Sequence, residues 1–166
     1  MPLIEPDVEV LAADLGARLL ALRGVVTAAE SCTGGLVAGA ITAIAGSSDW
    51  FDRGFVTYSN ESKRELLGVD EATLREHGAV SEPTAIAMAE GALKRSHATL
   101  SVAITGIAGP GGATPSKPVG TVCFAWARQG RPTVSVTHNL AGDRSEVRHA
   151  SVAIALRGLI DLSSSR

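Results

Sequence analysis

The sequence predicts a single α/β domain with three α/β/α layers, in which a mixed, mainly parallel sheet ends in a late antiparallel hairpin. Short β-branched, apolar runs alternate with segments of helical periodicity, as βα units require. The chain has 166 residues, the length of one ordinary domain. Its 45% hydrophobic content is mostly Ala, Val, Leu and Ile, whose small side chains let helices lie close to a sheet. We therefore expect one domain over residues 1–166, with a core from about residue 7 to residue 162.

The first part of the chain predicts a helix, a strand, a helix and a second strand. Apolar residues at helical spacing indicate an amphipathic helix over residues 7–22. The run VVTAA at 25–29 indicates a buried strand, and the alanine-rich stretch 36–45 indicates the following helix. Residues 51–58, FDRGFVTY, indicate the second strand. The turns of such βα units commonly bind ligands.

Helices dominate the middle of the chain. The triplet Ser59-Asn60-Glu61 is typical of a helix start, and residues 71–77 predict another short helix. A longer helix is expected over 85–93, because a hydroxyl residue and a proline precede it, with Ser81 as the N-cap.

The last part predicts the hairpin and a closing helix. Residues 100–104, LSVAI, indicate a third buried strand. The alternating segments 119–127 and 133–137 predict a hairpin that turns at Gln129-Gly130. A long helix over 143–162 completes the domain.

Composition and charge exclude several classes of partner. Only 4% of the residues are aromatic and the net charge is −2, whereas a nucleic-acid-binding surface uses aromatic faces and a basic groove. The apolar stretches are too short to span a membrane, and the start of the chain lacks the features of a signal peptide. We expect a cytoplasmic protein that binds a small molecule, with no nucleic-acid or membrane partner.

Metal and histidine chemistry are also disfavoured. Cys32 and Cys123 are isolated thiols without a CxxC spacing. The histidines form neither an HxxxH nor an HxH pair; they are His77, His97, His138 and His149. We therefore expect no metal, no cofactor and no histidine-based triad.

Three turns rich in glycine or hydroxyl residues follow the predicted strands. They are residues 30–35, 58–63 and 105–112. Ligands of open α/β sheets bind at the carboxyl ends of the strands, so the three turns should converge on one site. Glycines let a ligand approach backbone N–H groups, although a glycine-rich stretch alone is more typical of a mobile loop between strands.

Ser48 is the first candidate nucleophile, with Tyr58 and Lys63 as the groups that activate it. A lysine or tyrosinate can serve as base without histidine if burial lowers its pKa. The alternatives are that Ser48 is an ordinary turn residue and that Lys63 is a solvated surface cation. A second mechanism uses Glu30, Lys63 and Cys32, with the Cys32 thiolate as nucleophile, although Cys32 could simply fill the core.

Arg144, at the start of the last helix, is the candidate for binding an anionic group. Its planar guanidinium suits a phosphate or carboxylate, and Arg148 lies on the same helix face. Asp143 has the ordinary explanation of a helix cap.

The ordered motifs resemble the CinA carboxy-terminal domain family, the nicotinamide-nucleotide amidohydrolases. The segments that carry the resemblance run from about residue 27 to the last helix: TAAESCTGGLVAGAIT, GSSDWFDRGFVTYSNESKRELLGV, HGAVSEPTA, TGIAGPGG with KPVGTV, and GDRSEVRHAS. The chain is similar to the stand-alone form of the family rather than to its two-domain members.

The resemblance implies metal-independent hydrolysis of nicotinamide mononucleotide to nicotinic acid mononucleotide and ammonia. It implies catalytic roles for a set of five residues: Ser48, Lys63, Tyr58, Ser31 and Thr105. Ser48 is the expected nucleophile and Ser31 its rival, while Thr105 would position the amide or stabilise the oxyanion. The expected substrate-binding residues are Glu30, Thr33, Gly34, Gly106, Gly109 and Arg144. The resemblance also implies a homodimer or larger homo-oligomer, and a non-catalytic nucleotide-binding module is the alternative function.

Overall fold

A five-stranded mixed sheet forms the centre of the domain. The computed structural model describes residues 4–164. The strands are β1 (Val26–Glu30), β2 (Phe51–Val56), β3 (Leu100–Gly106), β4 (Thr121–Arg128) and β5 (Val134–Asn139). Their order across the sheet is β2-β1-β3-β4-β5. β1 is parallel to both β2 and β3, whereas β4 is antiparallel to both β3 and β5. The predicted parallel core and late hairpin are confirmed.

The helices follow the predicted order. They are α1 (Pro6–Leu22), α2 (Leu36–Thr42), α3 (Asn60–Leu67), α4 (Glu71–His77), α5 (Glu82–Lys94) and α6 (Arg144–Ser164). Ser81 caps α5, because its side chain accepts a hydrogen bond from the Thr84 N–H at 3.3 Å. α2 ends at Thr42, three residues earlier than predicted, and a single turn of 3₁₀-helix (Ser47–Asp49) leads into β2.

The two faces of the sheet have different cores, which confirms the three-layer architecture. Because successive strand residues point to opposite faces, one face presents large side chains such as Phe124, and α1, α2 and α6 pack on it. The other face presents Ala29, Ala103 and Ala125 to α5. These small residues let the helix axis approach the sheet closely. α5 also touches α3 at Gly91, where an added Cβ would lie 2.0 Å from the carbonyl oxygen of Leu67.

Residues 4–164 contain no helix that is both long and apolar enough to cross a bilayer.

Candidate active site

The turns after β1 and β3 meet at one edge of the sheet, because the parallel strands end there. They enclose a pocket of ≈ 250 Å³ that also includes residues after β2 and at the start of α6. The residues that line this pocket, which we call the switch-edge pocket, are Ser31, Cys32, Tyr58, Gly106, Ile107, Ala108, Gly109, Gly111, Gly112 and Arg144. The geometry is that of a ligand site at the carboxyl ends of parallel strands.

Lys63 and Ser31 are in direct contact at this edge. α3 begins with a capping box between Ser59 and Ser62, which fixes the first turn and directs Lys63 inward. The Lys63 side chain is buried, with 2% relative exposure. Its Nζ lies 3.0 Å from Ser31 Oγ and 3.0 Å from the carbonyl oxygen of Thr57. The sequence alternative that Lys63 is a solvated surface cation is therefore wrong.

Burial gives the Lys63 amine the character of a base. Removal from water disfavours the ammonium form and lowers the pKa of Lys63, while the nearby Cys32 thiol acts weakly in the opposite direction. In the structure Nζ donates to both Ser31 Oγ and the Thr57 carbonyl oxygen. In its neutral form the amine has one lone pair, which can accept the proton of the Ser31 hydroxyl at this distance.

Arg144 and Tyr58 form the rim of the pocket. The Arg144 guanidinium donates from Nη2 to Tyr58 Oη at 2.9 Å and from Nη1 to the carbonyl oxygen of Gly109 at 2.7 Å. Tyr58 is 63% exposed, so its ring lies at the mouth rather than inside. Gly109 has a φ of +85°, a conformation that favours glycine, and this bend turns its carbonyl towards Arg144. The cation is therefore fixed at the point where a ligand would enter.

Glu30 binds the start of α2 instead of facing the pocket. Its carboxylate is buried and accepts hydrogen bonds from the N–H groups of Val37 at 2.8 Å and Ala38 at 3.1 Å. Both oxygens thus satisfy backbone donors that the first turn of the helix leaves open. Gly34, with a φ of +57°, lets the chain reverse between the strand and this helix. Thr33 is fully buried in the turn, and its Oγ1 has no hydrogen-bond partner among residues 4–164.

Thr105 and Gly106 have structural contacts near the pocket. Thr105 is buried and its hydroxyl donates to the carbonyl oxygen of Ala79 at 2.8 Å, which ties the α4–α5 turn to β3. The hydroxyl proton of Thr105 is therefore already in a hydrogen bond, and its side chain is not part of the pocket lining. Gly106 lines the pocket and also packs against β4. Only glycine fits there, because an added Cβ would lie 2.8 Å from Val122 Cγ2.

Ser48 lies at the opposite end of β2 from Lys63 and Tyr58. It belongs to the 3₁₀ turn before the strand, where it is exposed, while Tyr58 and Lys63 follow the strand. The six residues of β2 separate them by roughly 20 Å at about 3.3 Å per residue. Within residues 4–164 of one chain, the expected activation of Ser48 by Lys63 and Tyr58 therefore has no supporting contact. The serine beside the amine is Ser31, which the sequence indicated as the rival nucleophile.

Cys32 lines the pocket but has the wrong electrostatics for a thiolate nucleophile. Burial raises the pKa of its thiol to about 11, and the hydrogen bond from its own backbone N–H and the positive charge of Arg148 only partly oppose that effect. The thiol is thus protonated at neutral pH.

Two contributors to the site were given no site role from the sequence. The Thr57 carbonyl accepts from Lys63, and no side-chain pattern signals a backbone acceptor. Arg148 donates to the carbonyl oxygens of Cys32 and Thr33. Its position four residues after Arg144, on the same helix face, was the available signal, although the sequence does not show which turn the face meets.

A family comparison agrees with this architecture. The model of the CinA C-terminal domain matches residues 8–163. The chain belongs to the CinA C-terminal domain family. The nicotinamide-nucleotide amidohydrolase PncC of Escherichia coli (strain K12) is 53% identical to it over 149 residues, which cover 90% of each chain. A putative competence-damage inducible protein of Symbiobacterium thermophilum is 57% identical over 159 residues, but these are 90% of this chain and only 37% of that relative.

Solved structures share the whole fold of this CinA-family domain. The crystal structure of the competence/damage inducible protein CihA from Agrobacterium tumefaciens superposes with a TM-score of 0.96 at 48% sequence identity. The match covers 99% of this chain and 100% of that one. A CinA-superfamily protein from Escherichia coli matches with a TM-score of 0.90 at 39% identity, over 98% of this chain and 94% of the other.

Proposed function

We propose that this CinA-family domain hydrolyses the carboxamide of nicotinamide mononucleotide and releases nicotinic acid mononucleotide and ammonia. The observation that carries the proposal is the 3.0 Å contact between Ser31 Oγ and a buried lysine amine in the switch-edge pocket. A binding module has no need of a desolvated amine beside a serine, whereas amide hydrolysis needs a base and a nucleophile in contact. The 53% identical relative is named for this type of reaction.

The proposed first step is acyl transfer to Ser31. The neutral Lys63 amine removes the Ser31 proton while Oγ attacks the carboxamide carbon, and the carbonyl π electrons move to oxygen. When the oxyanion collapses, the C–N bond breaks and Lys63 returns the proton to the departing nitrogen, which leaves as ammonia. The product is an ester between the acyl group and Ser31. The Thr57 carbonyl, 3.0 Å from Nζ, keeps the amine oriented through both proton transfers.

Hydrolysis of the ester uses the same pair of residues. Lys63 removes a proton from water, the resulting hydroxide attacks the ester carbon, and Ser31 leaves with that proton. One amide and one water are thereby converted into one carboxylic acid and one ammonia, with Ser31 and Lys63 unchanged. The pyridinium ring of the substrate withdraws electrons from its carboxamide, so the carbon is already activated towards attack.

Substrate binding is assigned to the rim and the glycine loop. The phosphate of a nucleotide suits the Arg144 guanidinium at the mouth of the pocket, which is held by Tyr58 and Gly109. Loop 106–112 offers backbone N–H groups close to the same space. Glu30 and Thr105 receive scaffolding roles in this proposal, because their polar atoms bind backbone groups.

The test is product formation by the purified chain. Nicotinamide mononucleotide should give ammonia and nicotinic acid mononucleotide in equal amounts, and the rate should persist in excess chelator. Binding of the nucleotide by calorimetry without release of ammonia would contradict the proposal and support the non-catalytic module. The cytoplasmic location and the homo-oligomer remain proposals. Light scattering coupled to size-exclusion chromatography measures the oligomeric state.

A further inference from the structure

Backbone hydrogen bonds hold the start of the Ser31 turn. The Ser31 N–H donates to the Ile104 carbonyl of β3 at 2.9 Å, and the Gly34 N–H donates to the Ser31 carbonyl at 3.0 Å. The Thr33 carbonyl accepts from the Leu36 N–H at 3.0 Å, whereas no backbone N–H of residues 4–164 donates to the Cys32 carbonyl. Both carbonyl oxygens have acceptor capacity left for partners from another element.

Arg148 of α6 supplies those partners. Its Nε donates to the Cys32 carbonyl oxygen at 3.1 Å and its Nη2 donates to the Thr33 carbonyl oxygen at 3.3 Å. The guanidinium thus holds two successive peptide groups at once. Arg148 and Cys32 are 116 residues apart in the sequence. A planar group with donors in a fixed fork orients both peptides, which a single flexible ammonium does not do.

Each of these carbonyls shares its peptide group with the N–H of the next residue. The contacts of Arg148 therefore fix the Cys32–Thr33 and Thr33–Gly34 peptides, which follow Ser31 directly. The Gly34 N–H donates back to the Ser31 carbonyl at 3.0 Å, so the fixed segment closes on Ser31. Cys32 itself lines the pocket directly after Ser31. Arg148 thus acts on the backbone that places Ser31 Oγ.

We propose that Arg148 is a positioning residue for the reaction, which holds the Ser31 turn so that Ser31 Oγ stays against Lys63 Nζ and in line for attack. This inference rests on the proposed function for its reaction but not for its geometry. Arg148 touches neither Ser31 Oγ nor Lys63, so its effect passes through the backbone.

The first experiment compares Arg148→Ala and Arg148→Lys with Arg157→Ala, an exposed arginine further along the same helix. Ammonia release from nicotinamide mononucleotide should show kcat lower by about a hundredfold in Arg148→Ala, because displacement of a nucleophile by about 1 Å costs that much. KM should stay within about threefold. Arg148→Lys should be intermediate, and Arg157→Ala should match the parent. Millimolar guanidinium should restore part of the kcat of Arg148→Ala, which a loss of folded protein would not allow.

A second readout does not depend on the physiological substrate. A fluorophosphonate, whose phosphoryl oxygen occupies the oxyanion position when it modifies a serine, should label Ser31 more slowly in Arg148→Ala than in Arg157→Ala. Slower labelling without nucleotide turnover in the parent would reject the proposed function and keep the positioning role. Unchanged labelling and an unchanged kcat in Arg148→Ala would overturn the positioning role. A change in KM alone would overturn it as well, and would make Arg148 a binding residue.

Discussion

Replacement of Lys63 by methionine tests the base directly. Methionine has nearly the length of the lysine side chain and is apolar, so it can fill the same buried space without an amine. Lys63 Nζ is the basic nitrogen bonded to Ser31 Oγ in the described chain, and removal of a general base costs about 10²–10⁴-fold in rate. That range corresponds to about 3–5 kcal/mol of lost transition-state stabilisation. KM should change little, because Lys63 is covered by Ser31 and does not line the pocket.

Folding provides the internal control for this variant. The pKa of Lys63 is lowered in the folded state by burial, so between its folded and unfolded pKa values the unfolded chain binds more protons. The free energy of unfolding of the parent therefore rises with pH through that window, up to the ordinary lysine value of about 10.4. Lys63→Met removes this dependence, and it also leaves the Thr57 carbonyl unpaired, at about 1 kcal/mol.

The assay is steady-state ammonia release, with urea unfolding measured on the same preparations. Lys94→Met, at an exposed lysine in α5, is the matched control and should keep the parent rate. In the parent, kcat/KM should increase with pH and then level off, because only the neutral amine accepts the proton. The midpoint of this increase should lie below the ordinary pKa of lysine. A folded Lys63→Met protein with the parent kcat would refute the assignment of Lys63 as base.

Three further substitutions test the other parts of the account. Cys32→Ala should keep most of the ammonia-release rate, since a thiol with a pKa of about 11 is protonated at neutral pH; a loss of more than about a hundredfold would favour the cysteine mechanism instead. Arg144→Gln should raise KM for nicotinamide mononucleotide by about tenfold or more and change kcat less, because a charged contact to phosphate is lost; equal KM values would remove Arg144 from binding. Gly91→Ala should destabilise the fold by at least about 1–3 kcal/mol in urea unfolding, because the new Cβ meets the Leu67 carbonyl at 2.0 Å; an unchanged midpoint would contradict the close α3–α5 contact.

The fold was predictable because each element carries a local signal. The β-branched runs, the helical spacing of 7–22 and the hydroxyl-proline entry before α5 all follow from the chemistry of neighbouring residues. The parallel core also follows, since strands joined by helices run parallel. The predicted and observed elements differ only in their end residues, as in α2, which ends at Thr42.

The choice between two serines was not predictable from local signals. Ser48 is ten residues before Tyr58 and fifteen before Lys63 in the chain, but the extended strand β2 lies between them and places them far apart in space. Ser31 is 32 residues from Lys63 and yet in contact with it, because β1 and β2 are parallel neighbours whose carboxyl ends coincide. Strand pairing, which sequence spacing does not reveal, therefore decided which serine meets the amine.

Glu30 and Thr105, both buried, are a second case in which structural context decided the role. Glu30 and Thr105 belong to the motifs that carry the family resemblance, and their residue types are compatible with catalysis. In the fold their polar atoms bind backbone groups of α2 and of the α4–α5 turn. The same residues thus shape the pocket by fixing the segments around it, a role that a motif alone does not distinguish from chemistry.

The central claim is that Ser31, and not Ser48, attacks the carboxamide. The most direct measurement is ammonia release from nicotinamide mononucleotide by Ser31→Ala and Ser48→Ala, prepared and assayed side by side with unfolding curves for both. Loss of the nucleophile should lower kcat of Ser31→Ala by at least about a thousandfold, while Ser48→Ala should stay within about twofold of the parent. A folded Ser31→Ala protein with the parent rate, together with an inactive Ser48→Ala protein, would contradict the account.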